Sequence, residues 1–173
     1  MNSVSRLFFA CWPDDGLARE LGRIAGWCVR DSGGRQVPTR NMHLTLLFLG
    51  SVSPAQRSAL EEVAGNLAIP PLTLTLDRVE FWPWAKILCL TPGSDPPEPT
   101  LIGVVDSLRR AARSQGLKVD DRAYRPHVTL VRKVGRLVEP PPVEPVVWPL
   151  GGLCLVESVP ERGRYRYRVI REW

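Results

Sequence analysis

Apolar residues recur along the chain either at every second position or at helical spacing, and these two periods predict its elements. The run from Ser5 to Trp12 is mostly apolar and predicts a buried strand. Pro13, Asp14 and Asp15 then mark a helix start, because acidic side chains are favoured at the positive end of a helix dipole. The helix that follows has one apolar face, formed by Leu17, Leu21, Ile24, Ala25 and Cys28.

Two further helices are predicted from their capping residues and spacing. The stretch Ser53-Pro54-x-Gln56 has the form of a capping box with proline in the first turn, and it opens a helix that runs through Leu67. A third helix is predicted from about Thr100 to Gln115, since its apolar positions fall on one face and Gly116 is a typical stop.

The remaining pattern is typical of strands. Leucine alternates with polar residues from residue 72 to residue 81, and residues 86–91 supply a partner strand, which together predict a hairpin. Two last strands are predicted at 153–159 and 164–171, after a proline cluster at 139–145 that is unsuited to a central strand. Because strands and helices do not strictly alternate, we predict an α+β fold whose antiparallel sheets are covered by helices on one side. A groove between two such sheets is the natural site.

Composition limits the class of protein. A length of 173 residues suits one domain over residues 1–173 with room for two lobes. The formal charge of +5 favours a polyanionic partner without identifying it. The four cysteines are isolated from one another and predict buried thiols in a reducing compartment. No apolar run has the length of a membrane span or a signal sequence, so we expect a cytoplasmic protein without a membrane partner.

The two histidines of the chain both open the same word, His-x-Thr-Leu. His43 begins HLTL and His127 begins HVTL. In a strand, alternate residues share a face, so each histidine is predicted to lie beside the threonine two positions later, Thr45 or Thr129. A single His-x-Thr-Leu is most simply a structural strand, but the repeat of the whole word at both histidines indicates a shared function.

Two imidazoles and two hydroxyls suit an in-line displacement at phosphorus. That reaction needs one group to accept a proton from the incoming oxygen and another to donate one to the leaving oxygen, and histidine serves in either role. Threonine hydroxyls donate to the charged non-bridging oxygens. A metal site is a weaker interpretation, because neither word contains a carboxylate or thiolate. A Ser-His-Asp arrangement lacks the G-x-S-x-G turn that would support it.

The doubled word resembles the motif pair of the 2H phosphoesterase superfamily, and the flanking segments resemble its RNA 2′,3′-cyclic phosphodiesterases, also called 2′-5′ RNA ligases. These segments are RLFFACWPDD, NMHLTLLFLGSVS, LTLTLDRVEFWPWAKILCL, RPHVTLVRK and LVESVPERGRYRYRVIREW. The resemblance implies a bilobal α+β fold with pseudo-twofold symmetry, helices on the outside and a central cleft. It also implies hydrolysis of RNA 2′,3′-cyclic phosphate ends to 2′-phosphomonoesters, with reversible 2′-5′ ligation in some members, and without metal or cofactor.

The resemblance also implies roles for individual residues. His127 is expected to activate water, His43 to protonate the leaving 3′-oxygen, and Thr45 and Thr129 to hold the phosphoryl oxygens. Arg132 matches a basic position after the second motif and is expected to bind the phosphate. Strict strand alternation opposes this, because it turns Arg132 away from His127 unless the strand bulges or ends near Val131.

Phe9 on the first strand is a candidate for stacking on the substrate base, set against the plainer interpretation of a core phenylalanine. The proline-rich segment after the second motif could alter which RNA ends fit. Two alternatives to the cyclic phosphodiesterase stay open at this point. One is an RNA-binding module whose histidines are structural, and the other is the same chemistry on another cyclic or 2′-5′ linked nucleotide. We expect a monomer, although the sequence does not decide the oligomeric state or which histidine is acid and which base.

Overall fold

The computed structural model describes residues 4–67, 69–93, 97–136, 139–161 and 164–173. Within these residues the α-helices are α1 (Asp15–Val29), α2 (Pro54–Gly65) and α3 (Pro99–Ser114). The strands are β1 (Ser5–Cys11), β2 (Arg35–Gln36), β3 (Leu44–Val52), β4 (Leu72–Leu76), β5 (Arg78–Trp82), β6 (Ile87–Thr91), β7 (Val128–Arg132), β8 (Val146–Leu150), β9 (Cys154–Glu161) and β10 (Arg164–Glu172). None of the described helices is long and apolar enough to cross a membrane.

The helix ends follow the local signals in the sequence. The Asp14 side chain caps α1 by accepting a hydrogen bond from the Leu17 amide at 2.8 Å. The predicted capping box of α2 is present, with Ser53 and Gln56 each bonding the other's backbone. That helix ends at Gly65, earlier than predicted, and the Leu67 amide closes the last turn on the Ala64 carbonyl. The third helix begins and ends within one residue of its predicted bounds.

Two antiparallel sheets form the β structure, which confirms the predicted α+β class. The larger sheet has the strand order β10-β9-β1-β3-β7-β6-β5, with β2 also paired to β7, and the smaller sheet is β4-β8. The two histidine words lie on neighbouring strands of the larger sheet, where β3 and β7 meet at the pair Leu44–Val128. The sheet therefore consists of two halves related about that central contact.

Residues 72–81, which were predicted as one strand, are divided between the two sheets. Asp77 separates β4 from β5, and its amide bonds the Thr91 carbonyl at 3.1 Å. The predicted hairpin is formed by β5 and β6 alone, whereas β4 pairs with β8, for which the sequence carried no prediction. Pro149 is tolerated in β8 because both strands of a two-stranded sheet are edges.

The main core lies between the larger sheet and the helices. Apolar residues of both histidine words face it, including Leu44, Leu46, Val128 and Leu130, which are all at most 2% exposed. The opposite, open face of the sheet carries two small apolar clusters, one around Phe8 and one around Trp82. From the sequence we expected a groove between two facing sheets. Because both histidine words lie in one sheet, the cleft forms instead on the open face of that sheet.

Candidate active site

The two histidine rings are held in the same way by the backbone. Each histidine directly precedes its strand, and its Nδ1 bonds the carbonyl two residues earlier. His43 Nδ1 lies 2.7 Å from the Asn41 oxygen, and His127 Nδ1 lies 2.8 Å from the Arg125 oxygen. Because a carbonyl only accepts, Nδ1 of each neutral ring carries the proton, and Nε2 keeps its lone pair. Each ring is thus fixed as a potential base at Nε2.

Matching β-bulges follow the two words. Between Thr45 and Leu47 the strand β3 has one residue more than its partner β1, and between Thr129 and Val131 the strand β7 has one more than β6. The extra residue is the leucine of each His-x-Thr-Leu. A bulge shifts the alternation of faces by one position. Leu47 and Val131 therefore join the core beside the preceding leucines, and the residues after them turn to the open face.

Arg132 reaches the site through the second bulge. Strict alternation would place it on the core face, but the extra residue in β7 returns it to the face of Thr129. The residue directly after β2 contacts the bulge, since the Val37 amide donates to the Leu130 carbonyl at 2.8 Å. The condition set by the sequence, a bulge near Val131, is met. Phe48 occupies the matching position after the first bulge and is 60% exposed.

One cavity on the open face brings most of the predicted residues together. Both histidines, both threonines and Arg132 line it. Phe48, Asn41 and Tyr167 also line it, with Val37 and Ile87 as apolar wall. Five of the six residues singled out from the sequence therefore share one cavity.

Phe9 is the exception and requires a correction. It is 0% exposed, belongs to the main core and packs against Trp173 at 6.3 Å between ring centroids. It therefore has no surface for a substrate base. The neighbouring Phe8 faces the other side of β1 and contacts His43, with 4.9 Å between ring centroids. The plainer interpretation of Phe9 as a core residue was the correct one.

His43 lies in an aromatic enclosure. Trp12 stacks on its ring at 5.1 Å with an interplanar angle of 3°, and Tyr167 meets it edge-on at 5.2 Å. Burial in this enclosure lowers the pKa of His43 to about 4; the hydrogen bond to the Asn41 carbonyl opposes that shift, and the charge of Arg132 adds to it. His43 is therefore neutral in the free protein at neutral pH.

His127 has a more polar environment. Trp82 contacts its ring at 4.6 Å, and beyond that indole the Arg125 guanidinium bonds Glu80 at 2.7 Å. Burial and the charges of Arg132 and Arg125 lower the pKa of His127, while the Arg125 carbonyl and the carboxylate of Glu80 raise it. The Glu80 carboxylate stays ionised because hydrogen bonds from Trp82 and Arg125 outweigh its own burial and lower its pKa.

Sequence analysis missed Trp12, Tyr167, Asn41 and Phe48. Trp12 directly follows the first strand and Tyr167 lies on the last, so no local pattern connects them with His43. Asn41 stands two residues before His43, but the matching residue before His127 is Arg125, so no shared residue type marks this position in the sequence. The side-chain Nδ2 of Asn41 also bonds the Tyr165 carbonyl at 2.9 Å, which ties the first word to β10.

Among the residues that the structure describes, no group of three or more His, Cys, Asp or Glu side chains is placed to hold a metal ion. The four cysteines are buried and unpaired. The polar side chains that line the cavity are those of the two histidines, the two threonines, Arg132, Asn41 and Tyr167.

Comparison with known proteins gives consistent matches over most or all of the chain. Residues 13–159 match the family model of the 2′-5′ RNA ligase superfamily. An RNA 2′,3′-cyclic phosphodiesterase of Escherichia coli K12 is 34% identical over 100% of this chain and 98% of its own. One of Archaeoglobus fulgidus is 30% identical over 73% of this chain and 72% of its own.

Solved structures agree with these matches. The crystal structure of E. coli LigT complexed with 3′-AMP superposes with a TM-score of 0.89 at 32% identity, covering 99% of this chain and 98% of that one. A Thermus thermophilus protein superposes with a TM-score of 0.83 at 22% identity, covering 97% of this chain and 96% of that one, and supports the fold alone.

Proposed function

Because the chain belongs to the 2′-5′ RNA ligase superfamily, we propose that it is an RNA 2′,3′-cyclic phosphodiesterase that opens cyclic phosphate ends to 2′-phosphomonoesters. The observation that carries the proposal is the convergence of two backbone-fixed imidazoles, two threonines and one arginine on a single cavity. Each has a function that the reaction requires. The E. coli relative whose structure contains 3′-AMP supports a nucleotide as the ligand.

In the proposed reaction, water attacks phosphorus from the side opposite the 3′-oxygen. Nε2 of His127 accepts the proton of the water as the new P–O bond forms. The bond between phosphorus and the 3′-oxygen breaks, and His43 donates a proton to that oxygen. Thr45 and Thr129 donate hydrogen bonds to the non-bridging oxygens, and the guanidinium of Arg132 balances their charge.

The proposed reaction needs one protonated and one neutral imidazole, but in the free site both imidazoles are neutral. A bound phosphate changes the electrostatic field at both imidazoles. Its negative charge opposes that of Arg132, which lowers the pKa of both histidines, and so it raises the pKa of both. In the proposed mechanism, the proton gained on substrate binding lies on His43, which the family resemblance assigns to the leaving 3′-oxygen. This coupling prevents the site from holding a buried imidazolium without a counter-charge.

Acid, base and anion-binding groups are all supplied by side chains, and the proposed reaction uses no metal or cofactor. We also propose that the substrate is the end of an RNA strand and that the protein is a monomer. Buried, unpaired cysteines agree with the reducing conditions of the cytoplasm, where we place it.

The test is to incubate the protein in EDTA with an oligoribonucleotide that ends in a 2′,3′-cyclic phosphate, and to identify the terminus by phosphorus NMR. We expect a 2′-phosphate. A 3′-phosphate would mean that the 2′-oxygen leaves, which reverses the assigned geometry. Bound RNA without turnover, with affinity that falls as salt rises, would instead identify an RNA-binding module. Turnover confined to another cyclic nucleotide in a substrate panel would keep the chemistry and change the substrate.

A further inference from the structure

A second aromatic feature lies beside His127, outside the cavity lining. The turn between β5 and β6 presents Trp84, whose indole stacks on that of Trp82 at 5.7 Å with an interplanar angle of 18°. Trp82 in turn contacts the His127 ring at 4.6 Å. Two ring contacts therefore separate the exposed indole from the imidazole. We call Trp84, Trp82 and Arg125 the indole platform.

The indole platform is rigid on its inner side and open on its outer side. Trp82 is 8% exposed, its Nε1 donates to Glu80 at 2.9 Å, and the Arg125 guanidinium lies over its ring at 4.7 Å. Trp84, in contrast, is 66% exposed. An indole held flat by a buried neighbour, with its other face in solvent, is a surface on which one further ring can stack.

The charge around the indole platform is suited to a nucleic acid strand. The Arg125 side chain is 51% exposed, although Glu80 already neutralises part of its charge. Lys86 in the same turn is exposed, and its carbonyl accepts from the Val134 amide at 3.0 Å, which brings the turn beside the end of β7 where Arg132 and Lys133 lie. Basic side chains around an exposed aromatic ring are typical of sites that bind single-stranded nucleic acid.

We propose that the indole platform binds the nucleoside on the far side of the phosphate from the leaving 3′-oxygen, which is the 5′-hydroxyl end of a second RNA strand. This inference rests on the proposed function, in which His127 faces the attacking oxygen. Water occupies that side during hydrolysis and needs no platform. A 5′-hydroxyl in place of water carries a nucleoside, and the indole platform is the aromatic surface next to His127.

The corresponding reaction joins and cleaves 2′-5′ linkages. In the joining direction the 5′-oxygen bonds to phosphorus and passes its proton to His127, while the bond to the 3′-oxygen breaks and that oxygen takes a proton from His43. In the cleaving direction the neighbouring 3′-hydroxyl attacks and gives its proton to His43, and the 5′-oxygen leaves with a proton from His127. Atoms and charge balance in both directions without a co-reactant.

The test compares two substrates on the same variants. One is an oligoribonucleotide that ends in a 2′,3′-cyclic phosphate, and the other contains a single 2′-5′ linkage. For Trp84→Ala we expect kcat/KM for cleavage of the 2′-5′ linkage to fall about tenfold, the scale of one lost base–aromatic stack. Hydrolysis of the cyclic end should stay within about twofold of wild type, and Trp84→Phe should recover most of the cleavage.

Two controls sharpen the comparison. Trp27→Ala removes another half-exposed indole, one that pairs with Arg23 on α1, and should change neither activity. An abasic nucleoside on the 5′-oxygen side of the linkage should slow the wild type about tenfold and Trp84→Ala no further, since both changes remove the same contact.

Several results would overturn the assignment. An equal loss on both substrates would place the cyclic-phosphate strand on Trp84, and no loss on either would mean that the indole binds no nucleoside. An equal effect of Trp27→Ala would show that the loss follows from removing any exposed indole. If the wild type opens cyclic ends but neither cleaves nor forms 2′-5′ linkages, the indole platform assignment alone fails. If it does not open cyclic ends, the proposed function fails first.

Discussion

The two halves of the large sheet repeat one backbone and differ in the side chains around it. Both place a histidine before a strand, bond its Nδ1 to the carbonyl two residues earlier, and insert a bulge at the leucine of the word. After the bulge, one half presents Phe48 and the other Arg132. Around the imidazole, the first half has three aromatic rings, whereas the second has one indole beside an Arg125–Glu80 ion pair.

In the proposed mechanism, this difference allows a repeated backbone to support two unlike proton-transfer groups. The shared hydrogen bonds fix the tautomer and orientation of both rings. The neighbours that differ between the halves set the pKa of each ring. Aromatic burial lowers the pKa of His43 to about 4, while the Glu80 carboxylate partly offsets the lowering of the pKa of His127. In the proposed mechanism, the charge that binds phosphate likewise lies in one half, at Arg132. A pseudo-symmetric site can therefore act asymmetrically without any change in its backbone.

The strongest test of the comparison is the loss of either imidazole. We expect His43→Gln and His127→Gln each to lower kcat by about 10²- to 10⁴-fold, because each removes one of two proton transfers. The double variant should be little worse than either single one, as expected for groups that act as a unit. Steady-state kinetics with circular dichroism as a control for folding measures this. Near-normal turnover in either variant would exclude the paired acid–base mechanism.

Substitution of the residue that follows each bulge tests whether phosphate binding is confined to one half of the site. Arg132→Gln should raise the inhibition constant of inorganic phosphate by about 10- to 100-fold, the scale of a lost charge-assisted hydrogen bond. Phe48→Leu should leave the inhibition constant of inorganic phosphate unchanged, since the matching position in the first half carries no charge. Comparable losses of phosphate affinity in both variants would contradict the assignment of the anion site to one half.

The histidines should also make stability sensitive to acid. Both have a folded-state pKa below the unfolded value of about 6.5, so the unfolded chain binds more protons as the pH falls below that value. The free energy of unfolding should therefore drop between pH 6.5 and about pH 4, and His43→Gln should remove a few kcal/mol of that drop. His127→Gln should remove less. Urea unfolding at several pH values measures both, and an equal contribution would contradict the difference in burial.

The smallest effect is expected when one wall of the aromatic enclosure is removed. Trp12→Leu exposes one face of His43 to water and should raise its pKa by less than about one unit, because Phe8 and Tyr167 remain. The pKa of His127 should not change. NMR titration of the two imidazoles follows both in one experiment. A parallel shift of His127 would show that the two rings share one environment and do not titrate separately.

The sequence by itself determined the local features. Asp14 and the Ser53–Gln56 box set helix starts, since the groups they satisfy lie within one turn. Alternation within each word placed histidine and threonine on one face, and five of the residues that line the cavity were named from the repeat and the family resemblance. The α+β class followed from the order of the elements.

Only the tertiary structure decided which face each β1 side chain takes and where the extra residue of each word goes. A bulge depends on the partner strand, so the turning of Arg132 into the cleft could not be read from alternation alone. Alternation placed Phe8 and Phe9 on opposite faces of β1, and only the packing of the sheet decided which of them lies in the main core. The separation of β4 from β5 arose from pairing with β8, distant in the chain. The surroundings of the two histidines also depend on residues distant in the chain, because Trp12, Tyr167 and Trp82 reach the rings through strand pairing. Local patterns fix which groups exist, and pairing across the sheet fixes what surrounds them.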